Sequence, residues 1–272
     1  MQIPFAKLQA AGNAYLAVDG RGRAHDWPVL ARAMTNPHTG VGSDGLVVVC
    51  ESTLAPVRMR VFNSDGSEAE MSGNGLRLFT KFVLDRGLAE CTDEALQVET
   101  GGGVRTVWPA FESGRMSRAR IAMGVPTLTH EGQATVLDLG ARALAVTTLS
   151  IGNPHAVHLT DQPVEAFPLH ELGPLVEHHE AFPNRVNFEV VHVRSRHEIA
   201  VRVFERGEGE TLSSGTGSIA SAIAARLAGL TDAAVEVALP GGTLEVAFEG
   251  PGEEAWLSGP TEDVLQGEWP VD

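Results

Sequence analysis

The sequence contains two similar stretches that lie 142 residues apart. Each one starts at a phenylalanine and ends in a Ser-Gly-x-Gly turn, and each is followed by a run with helical periodicity. At one constant offset Phe62 matches Phe204, Glu68 matches Glu210 and Ser72 matches Ser214. Two further pairs recur in the same order about 140 residues apart: the turns Gly12-Asn13 and Gly152-Asn153, and the glycine hairpins at 101–103 and 240–242. The chain is therefore predicted to be an internal duplication.

Strand patterns dominate each predicted half, and one strongly apolar helical run follows the Ser-Gly-x-Gly turn. Those runs are Leu76–Arg86 and Ser218–Leu230, and shorter helices are expected at Pro28–Met34 and Leu169–His178. The tail Ala255–Asp272 is expected to be a strand followed by a loop. The pattern predicts an α+β fold of two pseudo-symmetric domains, each a curved, mostly antiparallel sheet around a central helix. The expected domains are residues 1–116 with 262–272, and residues 117–261.

Composition excludes several classes of function. With 272 residues, 43% of them hydrophobic, the chain can bury a sizeable core, and a net charge of −15 argues against nucleic acid or an anionic membrane as a partner. No run is apolar enough to span a bilayer, and the first residues do not resemble a signal peptide. Cys50 and Cys91 lack metal-type spacing, and no nucleotide-binding motif is present. We therefore expect a cytoplasmic protein without metal or cofactor.

A Gly-x-Gly turn at the start of a helix presents backbone N–H groups at the positive end of the helix dipole, which suits an anion. Two such turns facing one ligand would place Ser72 and Ser214 on opposite sides of a tetrahedral carbon. That arrangement suits an epimerase, in which one group removes a proton and the other returns one. The alternative is that both serines are ordinary helix N-caps.

Polar residues near the turns fit a small zwitterionic ligand. Glu205 and Arg206 follow an apolar strand directly and could bind an ammonium and a carboxylate, although a solvated surface pair is the alternative. His155 follows a Gly-Asn-Pro turn and could tune a proton carrier. His178 and His179 lie in a polar segment and lack the spacing of a metal site. Asparagines that could bind the ligand, or serve backbone geometry instead, stand at strand ends or turns: Asn13, Asn63, Asn153 and Asn187.

Taken together, these motifs resemble the diaminopimelate epimerase family over nearly the whole chain. The segments that carry the resemblance are Gly12-Asn13, 38–42, 62–67, 72–75, 152–155, 185–187, 205–207, 209–211 and 240–242. The resemblance implies a pyridoxal-phosphate-independent isomerase, often a homodimer, that interconverts LL- and meso-2,6-diaminopimelate in lysine and cell-wall synthesis. It implies His155 and Glu205 as modulators of the catalytic pair Ser72 and Ser214. The implied substrate contacts are Asn13, Asn63, Gly73, Asn74, Asn153, Asn187, Glu205, Arg206, Gly215 and Thr216.

The chain departs from the family pattern at four positions. The resemblance implies cysteine at the positions of Ser72 and Ser214, glutamine at Gly45 and aspartate at Ala14. A thiol with a pKa of about 8.5 can become a thiolate base at a helix N-terminus, whereas an alcohol is a far weaker acid. Each tenfold change in acidity costs about 1.4 kcal/mol, so two serines should not run the two-thiol reaction at a useful rate.

Three interpretations stay open at this point. The serines could be engineered replacements in an inactive epimerase. The chain could be a homologue with changed chemistry, an isomerase or dehydratase of another amino or imino acid that uses Glu205 or His155 as its base. It could also be a non-catalytic protein that binds an amino acid.

Overall fold

The computed structural model describes residues 2–140 and 142–271. Contacts within the chain divide it into two compact units. The first unit combines Met1–Ile121 with Gly259–Asp272, and the second is Ala122–Ser258. Both ends of the chain therefore contribute to the first unit.

The elements follow the order expected of a duplicated chain. The first copy comprises β1 (Gln2–Ala10), β2 (Asn13–Asp19), α1 (Trp27–Thr35), β3 (Gly45–Cys50), β4 (Val57–Asn63), β5 (Glu68–Ala69), α2 (Gly73–Asp85), β6 (Leu96–Thr100), β7 (Gly103–Glu112) and β8 (Arg115–Gly124). The second comprises β9 (Thr127–Leu128), β10 (Ala134–Asp138), β11 (Ala143–Ser150), β12 (Pro154–Leu159), α3 (Leu169–Glu177), β13 (Asn187–Ser195), β14 (Glu198–Glu205), β15 (Gly209–Thr211), α4 (Gly215–Leu227), β16 (Ala234–Leu239), β17 (Gly242–Ala247) and β18 (Ala255–Pro260), and β19 (Glu262–Pro270) follows. Short 3-10 turns lie at Thr129–Gly132 and Val164–Ala166.

The strand pairings of the two units follow one pattern. In the first unit the order is β19-β1-β2-β3-β4-β6-β7-β8, and only β2–β3 and β4–β6 are parallel among these described pairs. In the second the order is β10-β11-β12-β13-β14-β16-β17-β18, and among its described pairs only β12–β13 and β14–β16 are parallel. The register repeats as well, since Phe62 pairs with Glu68 and Phe204 with Glu210. The predicted α+β duplication with mostly antiparallel sheets is confirmed.

The central helices α2 and α4 each contain 13 residues and are buried along most of their length. Helix α2 packs against β1, β2, β3, β4 and β7, and α4 packs against β11 to β14, β16 and β17. The predicted helix starts at Leu76 and Ser218 are wrong by three residues. The helices begin at glycines, which are poor helix formers, because Ser72 and Ser214 cap them and satisfy a free N–H group of the first turn.

A second apolar layer covers the opposite face of each sheet. In the first unit the alternating residues Leu16 and Val18 of β2 pack against Trp27 and Met34 of α1. In the second unit α3 occupies the corresponding place and packs against β13 and β14. Each sheet therefore has a longer, capped helix on one face and a shorter helix on the other, as the period-two alternation of the strands requires.

The tail is not the strand and loop expected from its sequence. Strand β19 pairs antiparallel with β1 from Gln2–Pro270 to Gln9–Glu262. Most of its side chains are exposed, so the segment lacks the apolar alternation by which strands are recognised. Its extended conformation comes from the hydrogen bonds of a partner that lies some 250 positions earlier in the chain.

Two groups of ion pairs fix the strands around the central helices. A bidentate Arg–Glu pair joins β4 to β5 through Arg60 and Glu68, and its counterpart joins β14 to β15 through Arg202 and Glu210. The second pair is the more buried, with side chains 15% and 19% exposed against 30% and 41%.

In the first unit a buried lysine ties the central helix to β8 and β19. Lys81 Nζ donates to Asp85 at 2.8 Å and to the Met116 carbonyl at 2.6 Å, and it lies 3.3 Å from Asp263. Asp85 Oδ1 in turn accepts from the Met116 N–H. The Asp85 side chain is only 1% exposed, so this ion pair is fixed inside the unit. Among the described residues no helix is long and apolar enough to cross a membrane.

Candidate functional site

Ser72 caps helix α2 from an extended backbone conformation and faces a tyrosine. Its Oγ accepts the N–H of Gly75 at 3.0 Å and shares a hydrogen bond with the Tyr15 hydroxyl at 3.2 Å. Tyr15 lies in β2, just after the predicted Gly12-Asn13 turn. The first turn therefore places two hydroxyl groups at a helix N-terminus. In the described residues no charged side chain is in direct contact with Ser72 Oγ.

A chain of side chains runs beside Ser72 between two opposite charges. Arg77 Nη2 donates to Asn74 Oδ1 at 2.6 Å, and Asn74 Nδ2 donates to Asn13 Oδ1 at 3.3 Å. Asn13 Nδ2 then donates to Asp44 Oδ2 at 2.8 Å, which also accepts the N–H of Ala14. The cation at one end and the anion at the other set the direction of both amides. The structure thus brings together the predicted residues Asn13 and Asn74.

The cation at the start of this chain is buried without a counter-ion. Arg77 is 0% exposed, and its Nε and Nη1 atoms have no hydrogen-bond partner. Burial lowers the pKa of Arg77 to about 10, and the positive charge of Arg118 adds to the effect. Burying a charge without an ion-pair partner lowers the unfolding free energy, so Arg77 beside the turn indicates a functional site rather than a stabilising contact.

Ser214 caps helix α4 in the same conformation but has a carboxyl group as its neighbour. Its Oγ accepts the Gly217 N–H at 3.2 Å and donates to Glu205 Oε2 at 3.4 Å. The other oxygen of Glu205 accepts from the Thr211 hydroxyl at 2.7 Å. The predicted residues Ser214 and Glu205 are therefore in contact, and the surface-pair alternative for Glu205 is wrong.

A buried imidazole lies in the same unit. His155 Nδ1 is 2.7 Å from Glu189 Oε1, and both side chains are 0% exposed. His155 Nε2 is 2.9 Å from Asn153 Oδ1, while Asn153 Nδ2 donates to Thr216 Oγ1 at 3.3 Å. Because the Asn153 amide donates to Thr216, its oxygen faces the imidazole, and Nε2 therefore carries a hydrogen. The network connects three predicted residues to the start of α4.

Burial controls the protonation of both carboxyl groups. It raises the pKa of Glu189, an effect that His155 opposes and that the negative charge of Glu205 reinforces. Glu189 Oε2 has no hydrogen-bond partner, which further disfavours the carboxylate. Burial also raises the pKa of Glu205, against the hydrogen bond from Thr211, the charge of His155 and the hydrogen bond from Ser214. Glu205 is thereby brought toward the pH range in which a carboxylate is an effective general base.

The remaining predicted polar residues lie at the edges of the two turns. Asn187 accepts the Arg206 backbone N–H at 2.9 Å and donates to the Pro154 carbonyl at 3.1 Å. The exposed Arg206 side chain donates to the Asn184 carbonyl at 3.1 Å. Asn63 is exposed at the end of β4 and donates to Ser67 Oγ at 3.0 Å. No described hydrogen bond joins Asn63 to Ser72.

One departure from the family pattern has a structural explanation. A Cβ at Gly45 would lie 2.6 Å from both the Tyr15 ring and the Phe62 carbonyl. No side chain fits at position 45 while Tyr15 occupies this place. The glycine and the tyrosine therefore belong together, and they shape the surroundings of Ser72 jointly.

Five residues of these networks were not predicted from the sequence: Tyr15, Asp44, Arg77, Glu189 and Thr211. A usable signal existed for two of them, since Arg77 and Glu189 are charged residues inside otherwise apolar runs that fold as buried elements. The other three are ordinary residues of turns and strand ends, which only the fold brings into contact.

The two cysteines do not replace the serines chemically. Burial raises the pKa of both Cys50 and Cys91, so neither thiol is activated. Cys50 packs against the α1 side of its sheet, on the face opposite the central helix. Within residues 2–140 and 142–271 no group of three or more His, Cys, Asp or Glu side chains is arranged to hold a metal ion.

Comparison with known proteins identifies the family. The diaminopimelate epimerase family profile matches residues 5–128 and 147–263. The chain belongs to the diaminopimelate epimerase family. It is 40% identical over 290 residues to the diaminopimelate epimerase of Ralstonia nicotianae, covering 100% of this chain and 97% of the relative. It is 39% identical to that of Moorella thermoacetica, covering 98% and 99%.

Solved structures agree with an epimerase-type fold at lower sequence similarity. A probable proline racemase from Agrobacterium radiobacter superposes with a TM-score of 0.76 at 15% identity, covering 99% of this chain and 93% of the other. A phenazine biosynthesis protein of the PhzF family from Bacillus anthracis superposes with a TM-score of 0.75 at 18% identity, covering 100% of both chains. These likenesses show the shared fold of this diaminopimelate epimerase family member.

Proposed function

We propose that this chain interconverts LL- and meso-2,6-diaminopimelate without a cofactor, and that serine makes the reaction slow. Epimerisation needs one group that removes the α-proton and a second group that delivers a proton to the other face. Ser72 and Ser214 are the candidates, because they cap equivalent helices in equivalent registers of a duplicated chain. This repeated serine turn, in a chain similar over its full length to diaminopimelate epimerases, carries the proposal.

The residues around the turns are assigned to a zwitterionic amino acid. The backbone N–H groups at Gly73-Asn74 and Gly215-Thr216 lie at helix N-termini and suit the α-carboxylate. Arg206 suits the second carboxylate, and Glu205 an ammonium group or the proton of Ser214. The amides proposed to complete the recognition are those of Asn13, Asn63, Asn153 and Asn187.

The experiment compares the unaltered protein with the variant Ser72→Cys plus Ser214→Cys. LL-diaminopimelate is incubated with each, and the meso form is measured by chiral chromatography. A thiol is far closer than an alcohol to the acidity of an effective base, so the double variant should be faster by a factor on the order of 100 or more. The control variant Ser113→Cys plus Ser195→Cys adds two thiols at exposed positions and should leave the rate unchanged.

A double-cysteine variant that binds but does not interconvert diaminopimelate would refute the proposed substrate. A second candidate, a racemase of another amino acid, would then be favoured by the Tyr15 ring that fills the space at Gly45. A panel of amino and imino acids in deuterium oxide tests that candidate, because only a substrate gains deuterium at its α-carbon. Saturable binding of one amino acid with no exchange would instead identify a binding protein.

We also propose that the protein is a cytoplasmic homodimer. Both cysteines are free thiols, which fits a reducing compartment. Light scattering coupled to gel filtration tests the dimer, since a mass near 28.8 kDa would indicate a monomer.

A further inference from the structure

The two serine turns are equivalent in backbone but not in chemistry. The side chains around Ser214 include two carboxyl groups, an imidazole and a second hydroxyl, whereas the equivalent positions around Ser72 carry an amide, an isopropyl group, a phenol and a methyl group. The equivalent pairs are Glu205 and Asn63, His155 and Tyr15, Thr211 and Ala69, and Glu189 and Val47.

The strand register establishes these equivalences independently of sequence matching. Asn63 and Glu205 each follow the phenylalanine that pairs with a glutamate of the next short strand. Tyr15 pairs with Gly45 in the parallel ladder β2–β3, and His155 pairs with Asn187 in the parallel ladder β12–β13. Duplication has therefore kept the positions and changed the functional groups.

The helix glycines locate the fourth pair. A Cβ at Gly75 would lie 3.6 Å from Val47 Cγ1, and a Cβ at Gly217 would lie 3.0 Å from Glu189 Oε1. The same place beside the turn thus holds an apolar side chain in the first unit and a buried carboxyl group in the second. Among the described residues, the serine of the second turn is hydrogen-bonded to a carboxyl group and the serine of the first turn is not.

A neighbouring carboxylate can accept the proton that Ser214 gives up. When Oγ accepts a proton from the α-carbon, its own hydrogen can pass along the existing hydrogen bond to Glu205 Oε2 at 3.4 Å. No free alkoxide is needed, because the carboxylate takes the proton as the C–H bond breaks. Glu205 is only partly buried, so its proton can exchange with solvent.

Ser72 lacks such an acceptor. Its hydroxyl partner is Tyr15, and a phenol is a far poorer proton acceptor than a carboxylate. In the described part of the chain, no carboxyl or imidazole group forms a hydrogen bond with Ser72 Oγ. A proton cannot leave the α-carbon toward Ser72 without forming an alkoxide.

We propose that proton transfer in this protein is one-sided: the Ser214–Glu205 pair removes and returns the α-proton of the bound amino acid, and the Ser72–Tyr15 pair does so far more slowly. In the forward step the C–H bond breaks, its electron pair stays on the α-carbon and delocalises into the carboxylate, and one proton moves through Ser214 to Glu205. In the reverse step a solvent-derived proton returns to the same face. The faster activity is therefore α-proton exchange with retention of configuration for one epimer, and the interconversion of the two epimers is the slower activity, limited by Ser72. It rests on the proposed function for the identity of the ligand.

Deuterium incorporation tests the proposal. Each of the two epimers, LL- and meso-diaminopimelate, is incubated with the protein in deuterium oxide in its own reaction. The products of each reaction are resolved by chiral chromatography, and their deuterium content is measured by mass spectrometry. One epimer should gain deuterium at least about ten times faster than it is converted, and the other should gain deuterium no faster than it is converted. Similar uptake into both epimers, or no uptake into either, overturns the proposal.

Single variants sharpen the test. Ser72→Cys supplies the missing second side, so it should convert retentive exchange into epimerisation. Ser214→Cys should speed exchange of the same single epimer and still yield retained product. An equal gain in epimerisation from both single variants would contradict the asymmetry.

Glu205→Gln should lower exchange by a factor on the order of 100, while Glu253→Gln removes the same charge at an exposed position of the same unit and should leave it unchanged. The circular dichroism spectrum and a cooperative thermal unfolding transition verify that Glu205→Gln is folded. Exchange that survives in a folded Glu205→Gln refutes the relay.

The double-cysteine variant separates the two proposals. If it interconverts both epimers while the unaltered chain exchanges both equally, the one-sided inference fails and the proposed function stands. If it acts on neither epimer, the proposed function fails and the inference fails with it.

Discussion

Replacing Arg77 by methionine is expected to stabilise the protein while weakening its ligand binding. Burial lowers the pKa of Arg77 to about 10, so holding the guanidinium charged at pH 7 costs about 3 kcal/mol. Methionine has a similar length and no charge. Loss of the charged hydrogen bond to Asn74 offsets about 2 kcal/mol of the gain. The unfolding free energy should therefore rise by about 1 kcal/mol, which corresponds to roughly 2–4 °C in the melting temperature.

The pH dependence of the unfolding free energy shows whether removal of the buried charge stabilises Arg77→Met. The folded pKa lies below the unfolded value, so the penalty on the native arginine is fully present below about pH 10 and is relieved as the pH rises above it. The stability difference between the two proteins should therefore be constant from pH 7 to 9 and shrink above pH 10. Urea denaturation with unchanged m-values measures it. Arg77→Lys retains a buried cation and should show no gain.

The expected loss of ligand binding in Arg77→Met is measured separately from its stability. Without the cation, Asn74 Oδ1 loses the charged donor that directs the amide, and the hydrogen bonds that continue to Asn13 and Asp44 are weakened. Calorimetric binding of diaminopimelate to Arg77→Met should weaken about tenfold, or about 1.4 kcal/mol. A variant that is less stable than the native protein by more than about 1 kcal/mol, or that binds unchanged, would show that the unpaired guanidinium is not a stability cost kept for the site.

Three further tests, with five substitutions, examine the ion pairs and the packing of the two units. Glu210→Gln should lower the unfolding free energy by about 1–2 kcal/mol at pH 7 and Glu68→Gln by less than about 1 kcal/mol, because the Arg202–Glu210 ion pair is more buried than the Arg60–Glu68 pair. Their arginine partners lower both pKa values, so both losses should vanish as the pH falls below about 4. Gly173→Ala should destabilise by about 1–3 kcal/mol, because its Cβ would lie 2.5 Å from a phenylalanine ring, whereas Gly250→Ala meets nothing within 4 Å and should be neutral. Asp85→Asn should cost about 3 kcal/mol, because it leaves a buried lysine poorly paired. Chemical denaturation measures all of them, and equal losses within a matched pair would contradict the reasoning.

Most of the fold could be predicted because its signals are local. Alternating strands, glycine turns and two capped helices repeat along the chain, and the offset between the repeats is visible in the residues themselves. Strand β19 could not be predicted, because its exposed residues carry no alternation and its partner is distant in sequence. The helix starts were misplaced because glycine propensity argues against a helix where a serine cap permits one.

The candidate site divides in the same way. The polar residues at turns could be named from sequence, but their contacts could not. The hydrogen bond between Ser214 and Glu205 depends on the pairing of β14 with β15, and that between Asn13 and Asn74 on the packing of α2 against β2. Buried charges such as Arg77 are visible in sequence only as exceptions within apolar runs, and the reason for their presence appears only with their partners.

The position of β19 in the chain has a consequence for how the protein is made. The first unit needs residues 259–272 for the strand beside β1, whereas the second unit ends at Ser258. During synthesis from the N-terminus, every residue of the second unit is therefore synthesised before the last strand of the first unit. Until then the outer edge of β1 exposes unpaired N–H and C=O groups. The unit that is begun first is completed last, and a nascent chain arrested at residue 258 would carry this open edge.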